Sequence, residues 1–150
     1  MSDDEVDFDD KTTDYNYKLI LVGESGVGKT SIITRYVENS FSEEHDITVN
    51  VAFFEKIFDI PDVKKKAKLH VWDTLGQEKF TNLAQIFFKG TAGAFLVFDC
   101  SRKETFEKLD RWKNVIEDST NKSVVKTLIC NKCDIPKREV STQEGAEYAK

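Results

Sequence analysis

The sequence has few cysteines, and they do not suggest a covalent or metal framework. There are three cysteines, an odd number, at Cys100, Cys130 and Cys133, and only two histidines accompany them. No zinc-ligand spacing is expected among them. A disulfide framework and a structural metal site are therefore not expected, and the thiols indicate a reduced, intracellular protein.

Long apolar segments and an excess of positive charge are also lacking. The longest apolar runs, such as residues 92–98, are much shorter than the ~20 residues of a membrane-spanning helix. No apolar segment follows Met1 to suggest a secretory signal. The formal net charge is −5, from 22 basic and 27 acidic residues. That balance argues against a general nucleic-acid binder, which gains its affinity by neutralising phosphates.

The composition is that of one globular domain, because 39% of the 150 residues are hydrophobic and 33% are charged. The acidic residues are concentrated at the start, where residues 1–14 contain seven acidic residues and one lysine. We expect a disordered acidic tail over residues 1–14, either a solubilising leader or an interaction arm, and one domain over residues 15–150.

Short apolar runs alternate with segments of helical periodicity after this tail. Residues 17–22 predict a buried strand, and a helix is expected from Lys29, with Ile32, Ile33, Tyr36 and Val37 on its apolar stripe. Further strands are expected at residues 49–60, 67–72, 92–98 and 124–130, the first two joined by a lysine-rich turn after Pro61. The alternation predicts an α/β sandwich with a mostly parallel sheet, whose active edge lies at the carboxyl ends of the strands.

Two patterns predict the later helices. Thr105, Leu109, Trp112 and Ile116 recur at helical spacing, so we expect Trp112 in the core rather than as a platform for a ligand. Ser141 and Glu144 form a capping-box pattern that begins a last helix at Thr142.

A phosphate-binding motif follows the first strand. Residues 23–30 read GESGVGKT, a complete G-x-x-x-x-G-K-[ST] sequence between a predicted strand and a predicted helix. Glycines let successive backbone N–H groups point at phosphate oxygens, the helix dipole favours the same anion, and Lys29 reaches the β- and γ-phosphates. The hydroxyl of Thr30 is a hard oxygen ligand for Mg²⁺. The expected phosphate-site residues are Gly23, Ser25, Gly26, Val27, Gly28, Lys29, Thr30 and Ser31.

The sequence Asn131-Lys132-Cys133-Asp134 follows the last predicted strand and favours guanine over adenine. The carboxylate of Asp134 can accept hydrogen bonds from both N1–H and the 2-amino group of guanine, whereas adenine would leave it unpaired. Asn131 can bond the other edge of the base and brace the loop, and the stem of Lys132 can cover the ring.

A third motif, WDTLGQE at residues 72–78, ends another strand. Asp73 is expected to hold Mg²⁺ through water, Gly76 to offer its N–H to a γ-phosphate, and Gln77 to orient an attacking water. The chain thus carries the phosphate loop, the WDTLGQE segment and the Asn131–Asp134 segment in that order along the sequence. With these three motifs it resembles a Ras-superfamily small GTPase of the Rab branch from residue 17 to residue 150. The resemblance implies the three-layer sandwich of P-loop NTPases, with one antiparallel edge strand.

The resemblance also implies roles for single residues. Thr48 matches a threonine that ligates Mg²⁺ and senses the γ-phosphate, and Phe41 matches an aromatic residue that stacks on the base. Phe53, Trp72 and Phe87 match a cluster through which Rab proteins meet effectors, although core packing would also explain them. Effectors, exchange factors and GTPase-activating proteins are then expected at residues 41–53 and 74–88.

The implied function is a switch that binds GTP or GDP with Mg²⁺ and hydrolyses GTP slowly, with Gln77 as the catalytic residue, in Rab-like regulation of vesicle traffic. Asn50, Ala52, His45 and Leu75 depart from the family pattern. Because Leu75 replaces a smaller alanine, a pseudo-GTPase that binds the nucleotide without hydrolysis is the alternative. A P-loop kinase or ATPase is a more remote possibility, which Asp134 disfavours.

The resemblance also leads us to expect further chain. The sequence ends at Lys150, before the family's last strand, third base-binding loop and final helix, so we expect a fragment or completion by another segment. Membrane attachment is left open, because the part that would carry a lipid anchor is not in the sequence. The family implies a cytoplasmic protein, peripheral on endomembranes if an anchor is present.

Overall fold

The computed structural model describes residues 13–43, 52–74, 88–120 and 123–150. The described strands are β1 (Tyr15–Val22), β2 (Ala52–Ile60), β3 (Lys65–Asp73), β4 (Gly93–Asp99) and β5 (Val125–Asn131). The described helices are α1 (Lys29–Glu38), α2 (Lys103–Glu107), α3 (Leu109–Ser119) and α4 (Thr142–Tyr148), with a short 3₁₀ turn at Pro61–Val63.

The strands form one five-stranded sheet in the order β2-β3-β1-β4-β5. β1 pairs in parallel with β3 and β4, and β4 pairs in parallel with β5. β2 is the antiparallel edge strand, because the turn at Pro61–Val63 returns it directly against β3. The expected α/β fold, with a mostly parallel sheet and one antiparallel edge strand, is confirmed.

The core lies on both faces of the sheet, as the alternation of side chains along β1 requires. Ile20 and Val22 belong to one buried cluster, with Leu109, Trp112 and Ile116 of α3. Leu21, between them, belongs to the other cluster, with Ile33 of α1. The sheet is therefore the middle of three layers.

The helical stripe expected from Thr105 to Ile116 is confirmed, since Thr105, Leu109, Trp112 and Ile116 are all buried. The segment is two helices rather than one, because Lys108 has φ −84° and ψ 0° at the junction of α2 and α3. Its N–H still bonds to the carbonyl oxygens of Glu104 and Phe106, so the stripe continues across the junction.

The lysine-rich turn between β2 and β3 is shorter than expected. Lys65 pairs with Ile60 and Lys66 with Asp59, so both lysines belong to β3. Only Lys64, which has φ 51°, lies between the 3₁₀ turn and the strand. The tight connection follows from the antiparallel pairing, which continues up to the turn itself.

Tyr36 differs from its expected place on the apolar stripe of α1, because 45% of it is exposed. The Nζ atom of Lys56 on β2 lies 4.3 Å from the centre of its ring and donates a hydrogen bond of 2.7 Å to the Tyr36 carbonyl. The edge strand is thus held to α1 by a cation and an aromatic ring rather than by apolar burial alone.

The ends of the described chain are tied to the sheet or capped. Asp14, which the sequence assigns to the acidic tail, donates from its N–H to the Lys66 carbonyl (3.0 Å) and accepts from the Lys66 N–H (2.8 Å). The tail remains a prediction for residues 1–12, which lie outside the described residues.

The capping box of α4 is present, with Ser141 and Glu144 bonded reciprocally. No helix in the described ranges is long and apolar enough to cross a membrane.

Candidate functional site

The sheet register brings the motifs to one edge. Leu21 near the end of β1 pairs with Asp73 at the end of β3, and Asp99 at the end of β4 pairs with Asn131 at the end of β5. The loop after β1 therefore lies beside the carboxyl ends of three other parallel strands, which is where open α/β sheets bind ligands.

The loop from Gly23 to Gly28 folds too tightly for side chains at both glycines. A Cβ atom on Gly23 would lie 2.2 Å from the Val97 carbonyl oxygen, and one on Gly28, which has φ 101°, would lie 2.3 Å from Asn131 Nδ2. Gly28 is the N-cap of α1 and supplies no side-chain cap. The N–H groups of the first helical turn are therefore left for an anion, which the helix dipole also favours.

Lys29 supplies a positive charge inside this loop. It is 6% exposed, and its Nζ atom donates hydrogen bonds of 3.0 Å to the carbonyl oxygens of Gly23 and Glu24. Burial lowers the pKa of Lys29 to about 8, although the charges of Asp73 and Glu24 act in the opposite direction. A polyanion bound in the loop would stabilise the charged form of this lysine.

Two oxygen-bearing side chains lie beside the start of α1. Thr30 Oγ1 donates a short hydrogen bond to Asp73 Oδ2. Asp73 is completely buried, and its Oδ1 atom has no hydrogen-bond partner among the described residues. Burial raises the pKa of Asp73, while the bond from Thr30 and the charge of Lys29 act against this. A hydroxyl beside a buried carboxylate with an unsatisfied oxygen fits a hard cation such as Mg²⁺.

The loop after β5 is bonded directly to the phosphate-loop backbone. Asn131 Nδ2 donates 2.8 Å to the Val27 carbonyl, and Lys132 Nζ donates 2.8 Å to the Gly26 carbonyl. Lys132 has φ 63°, so the chain turns sharply just before Asp134. The two motifs, about a hundred residues apart in sequence, form a single unit.

Two side chains beside these loops were not predicted from the sequence. Asp99 Oδ2 lies 3.3 Å from Lys132 Nζ, and Asp99 Oδ1 accepts 2.8 Å and 2.6 Å hydrogen bonds from the backbone and hydroxyl of Ser101. Burial raises the pKa of Asp99, but these bonds and the Lys132 charge outweigh it and leave the pKa below its usual value. The Asp99 carboxylate thus stays ionised and holds Lys132. The sequence feature that could have identified Asp99 is its position at the end of a predicted strand.

Glu24 is the second residue that was missed. Its Oε1 atom accepts a 2.9 Å hydrogen bond from Trp112 Nε1, and its Oε2 atom lies 3.9 Å from Lys108 Nζ. The expected burial of Trp112 is confirmed, but its N–H also needs an acceptor. A glutamate among the variable positions of the phosphate motif could have indicated that partner.

Some of the remaining predicted residues lie in the described parts of the chain, and the others lie outside them. Ser25, Ser31 and Asp134 lie in the described loops and helix α1, and Phe41 lies beyond α1, 58% exposed. Thr48, Gly76 and Gln77 lie outside the described residues, as do His45, Leu75 and Phe87.

The aromatic group expected at an effector surface is partly described. Phe53 on β2 is 39% exposed, and its ring centre lies 5.0 Å from that of Trp72 and 5.5 Å from that of His70. His70 Nδ1 lies 3.3 Å from Glu55 Oε1. The group covers the sheet surface while leaving the Phe53 ring accessible to another molecule.

Comparison with known proteins agrees with this architecture. The model of a protein family described as the Ras family matches residues 18–150. The chain belongs to the Ras family. The resemblance inferred from the phosphate loop, the WDTLGQE segment and the Asn131–Asp134 segment is therefore confirmed.

The sequences of two Ras-related proteins align with most of the chain. It is 41% identical over 134 residues to Ras-related protein Rab-18 of Lymnaea stagnalis, across 89% of this chain and 65% of that protein. It is 39% identical over 142 residues to Ras-related protein RABA5a of Arabidopsis thaliana, across 94% of this chain and 63% of that protein. The chain thus spans slightly less than two thirds of the length of each relative.

Proposed function

We propose that this Ras-family chain is a guanine-nucleotide switch that binds GTP or GDP with Mg²⁺ and hydrolyses GTP slowly. The observation that carries the proposal is the direct bonding of the two loops: Asn131 and Lys132 each donate 2.8 Å to backbone carbonyls of the phosphate loop. A ligand that contacts both loops would have a base at one end and phosphates at the other.

The phosphate end is supported by the charge and backbone of the loop around Lys29. A bound phosphate would replace the carbonyl oxygens of Gly23 and Glu24, 3.0 Å away, as partners of the Lys29 ammonium. Because Lys29 is already buried, little further desolvation is needed when the phosphate arrives. The N–H groups at the start of α1 would bond the same phosphate oxygens.

The metal end of the site would use Thr30 and Asp73, with Thr48 as a further ligand implied by the family. When bound, Mg²⁺ would neutralise part of the charge on the β- and γ-phosphates. Thr30 Oγ1 already faces the Asp73 carboxylate, so both oxygens are available on the same side of the loop. Oδ1 of Asp73 would accept a hydrogen bond from a water molecule of the metal shell.

The base end would be read by Asp134, while Asn131 and the stem of Lys132 hold the loop and cover the ring. Phe41 is exposed after α1 and would stack on the base from the other side, as the family implies. Specificity for guanine follows from the two adjacent donors on its edge, since adenine would leave the Asp134 carboxylate without a partner.

Hydrolysis would depend on Gln77, which would orient the attacking water, and on the N–H of Gly76, which would donate a hydrogen bond to the γ-phosphate. The bulk of Leu75 beside Gly76 is the reason to expect slow turnover. An arginine supplied by a partner protein would accelerate the reaction by about 10³–10⁵. The switch would act through proteins that contact residues 41–53 and 74–88, including the Phe53 and Trp72 surface.

A Rab-like role is supported by the names of the two relatives and their identity to the chain, and the family resemblance implies that this role is in vesicle traffic. The protein would then act in the cytoplasm and on the surfaces of endomembranes if the chain carries an anchor. A pseudo-GTPase that holds the nucleotide without hydrolysing it is the alternative, and it differs only in the rate of the chemical step.

Nucleotide binding followed by single-turnover hydrolysis tests the proposal. We expect GTP and GDP to bind, ATP not to compete, and GTP to be hydrolysed slowly in the presence of Mg²⁺. Lys29→Ala should abolish binding, whereas Lys64→Ala, at the exposed turn, should not. Gln77→Leu should slow hydrolysis with little change in binding. Binding with no hydrolysis identifies the pseudo-GTPase, and preference for ATP would refute the proposal.

Base specificity has its own test at Asp134. The Asp134→Asn variant can no longer accept both guanine hydrogens, but its amide can donate to the 2-oxo group of xanthine. We expect binding of GDP to weaken by at least about a hundredfold, or ~2.7 kcal/mol, and XDP to bind the variant better than the parent. Asp62→Asn, in the exposed 3₁₀ turn, is the matched control and should leave both affinities unchanged.

A further inference from the structure

The three cysteines of the chain meet at the end of the sheet. Cys100 follows β4, Cys130 lies near the end of β5 and Cys133 lies in the loop beyond it. Their Sγ atoms all lie within 4.8 Å of one another, and those of Cys130 and Cys133 are 3.6 Å apart. We propose that this trithiol cluster binds a soft metal cation, with Zn²⁺ as the reference ion.

The separations of the sulfur atoms suit such an ion. Metal–sulfur bonds of ~2.3 Å at tetrahedral angles put neighbouring sulfur atoms about 3.8 Å apart. The observed separations, 3.6 Å for one pair and at most 4.8 Å for the others, need only small shifts, in which the close pair widens slightly and the other pairs contract. Three sulfur ligands would leave the fourth position for water, on the side where Cys133 is exposed.

The spacing of the ligands supports the same interpretation. Cys130 and Cys133 are separated by two residues, which is common among zinc ligands and corrects the sequence-based expectation that the cysteines lack such a spacing. The chain folds back between them, because Lys132 has φ 63° and Cys133 Sγ lies 3.2 Å from the Cys130 carbonyl oxygen. The pair can therefore chelate an ion without rearranging the loop.

The third ligand is fixed by backbone hydrogen bonds. The Cys100 N–H donates 3.1 Å to the Asn131 carbonyl, and the Cys100 carbonyl accepts from the N–H groups of Glu139 (2.8 Å) and Val140 (3.1 Å). Cys100 is completely buried. Its position is thus set by the same loop that carries the other two thiols, which limits the conformational cost of binding.

The charge around the cluster also suits a metal with three thiolates. Binding breaks three S–H bonds, releases the three protons to solvent and forms three metal–sulfur bonds, with no change in oxidation state. The resulting centre carries a formal charge of −1 for a divalent ion. Arg138 is placed to balance it, because its Nη2 atom lies 3.5 Å from Cys130 Sγ and its Nε atom is held by a 3.0 Å bond to the Val140 carbonyl.

Metal at this site would also affect the base loop. Cys130 and Cys133 enclose Asn131 and Lys132, so an ion shared with Cys100 would tie that loop to the end of β4. We expect slower release of guanine nucleotide from the metal-bound protein. This second effect rests on the proposed nucleotide function, whereas the metal site itself does not.

Spectroscopic titration with Co²⁺, followed by displacement with Zn²⁺, tests the site in the full protein without nucleotide under a phosphine reductant. We expect an intense sulfur-to-cobalt charge-transfer band that saturates at one ion per chain. Cys100→Ser, Cys130→Ser and Cys133→Ser should each weaken binding by more than the ~10–100-fold that loss of an outer-shell partner costs. Thr127→Ser, exposed on β5, should leave the titration unchanged.

Each contrary result would overturn the proposal. Absence of a thiolate band, or a band that depends on Cys133 alone, would show that the three thiols do not act as one site. A Cys130–Cys133 disulfide in place of bound metal, seen by mass spectrometry as loss of two hydrogens, would assign the pair to redox chemistry. Asp73→Asn should retain the band, which separates this site from the oxygen ligands at Thr30.

The effect of bound metal on the rate of nucleotide release is measured in a separate experiment. Release of a fluorescent GDP analogue should slow at least threefold on Zn²⁺ addition in the parent and not in Cys100→Ser. An unchanged rate in protein that shows the thiolate band would refute the coupling while leaving the metal site in place. Failure of GDP to bind would refute the nucleotide function, again without affecting the titration.

Discussion

Trp112 Nε1, on helix α3, donates a 2.9 Å hydrogen bond to Glu24 Oε1 in the phosphate loop. Trp112 is 1% exposed and Glu24 is 9% exposed, so water cannot easily replace either partner. The bond connects the helix layer on one face of the sheet with the loop that would hold phosphate. Packing of α3 and the shape of the loop are therefore coupled.

Replacing Trp112 by phenylalanine should expose this coupling. The variant keeps most of the apolar ring but leaves the buried Glu24 carboxylate without its N–H donor. We expect the free energy of unfolding to fall by about 1–3 kcal/mol, measured by urea denaturation, and GDP affinity to fall as the loop loses its anchor. Glu24→Gln is the matched variant, because its amide oxygen can still accept from Trp112, and it should cost less. Equal stability of Trp112→Phe and the parent would contradict the interpretation.

Asp99 should act as a positioning residue for Lys132. Asp99→Asn keeps the acceptor for Ser101 but removes the charge that lies 3.3 Å from Lys132 Nζ. We expect GDP to dissociate about tenfold faster, equivalent to ~1.4 kcal/mol, with little change in the association rate. Stopped-flow measurement of both rates checks this.

Asp59→Asn, on the exposed edge strand β2, is the control for Asp99→Asn and should change neither rate. A purely structural role for Asp99 would lower stability without selectively changing dissociation. An unchanged dissociation rate would therefore remove Asp99 from the nucleotide site.

The sequence could predict the elements and motifs because each is local. The phosphate loop, the strand before it and the stripe from Thr105 to Ile116 depend on residues near one another in the chain. Their meeting at one sheet edge also follows from parallel pairing. The antiparallel edge strand was expected from the family resemblance, and the pairing of Ile60 with Lys65 beside the Pro61 turn accounts for it.

Contacts that depend on three-dimensional register could not be predicted in the same way. Trp112 and Glu24 are 88 residues apart in sequence, and Arg102, whose Nη1 atom lies 3.4 Å from the Ser25 carbonyl oxygen, is likewise distant. Cys100 joins the other thiols only because β4 and β5 end at the same level. A single sequence carries no signal for such pairings beyond the chemical need of each group for a partner.

The capping box of α4 gives a prediction about pH. Glu144 accepts a 2.7 Å bond from the Ser141 N–H, and this bond, with that of the Ser141 hydroxyl, lowers the pKa of Glu144. Since the folded pKa lies below the unfolded one, the stabilisation is present above the unfolded pKa of about 4.3 and is lost as pH falls through the folded value. The stability difference between the parent and Glu144→Gln should therefore shrink as pH falls below about 4.3.

Thermal unfolding at a series of pH values measures this difference. Glu144→Asp is the control, because it keeps a negative charge at the start of the helix while its shorter side chain reaches the Ser141 N–H less well. We expect it to be less stable than the parent at neutral pH. A pH-independent difference between the parent and Glu144→Gln would contradict the role of the ionised carboxylate.

Gly28 and Gly90 form a matched pair that separates backbone strain from contact between the two loops. Both have positive φ, 101° and 76°, so alanine at either position should be destabilising by about 1–2 kcal/mol. Nothing lies within 4 Å of a Cβ on Gly90, whereas one on Gly28 would lie 2.3 Å from Asn131 Nδ2. Gly28→Ala must therefore displace Asn131 from its bond to the Val27 carbonyl. We expect GDP affinity to fall at least tenfold in Gly28→Ala and to stay unchanged in Gly90→Ala, as measured by calorimetry. Equal GDP affinity in the two variants would mean that Asn131 can move without disturbing the site.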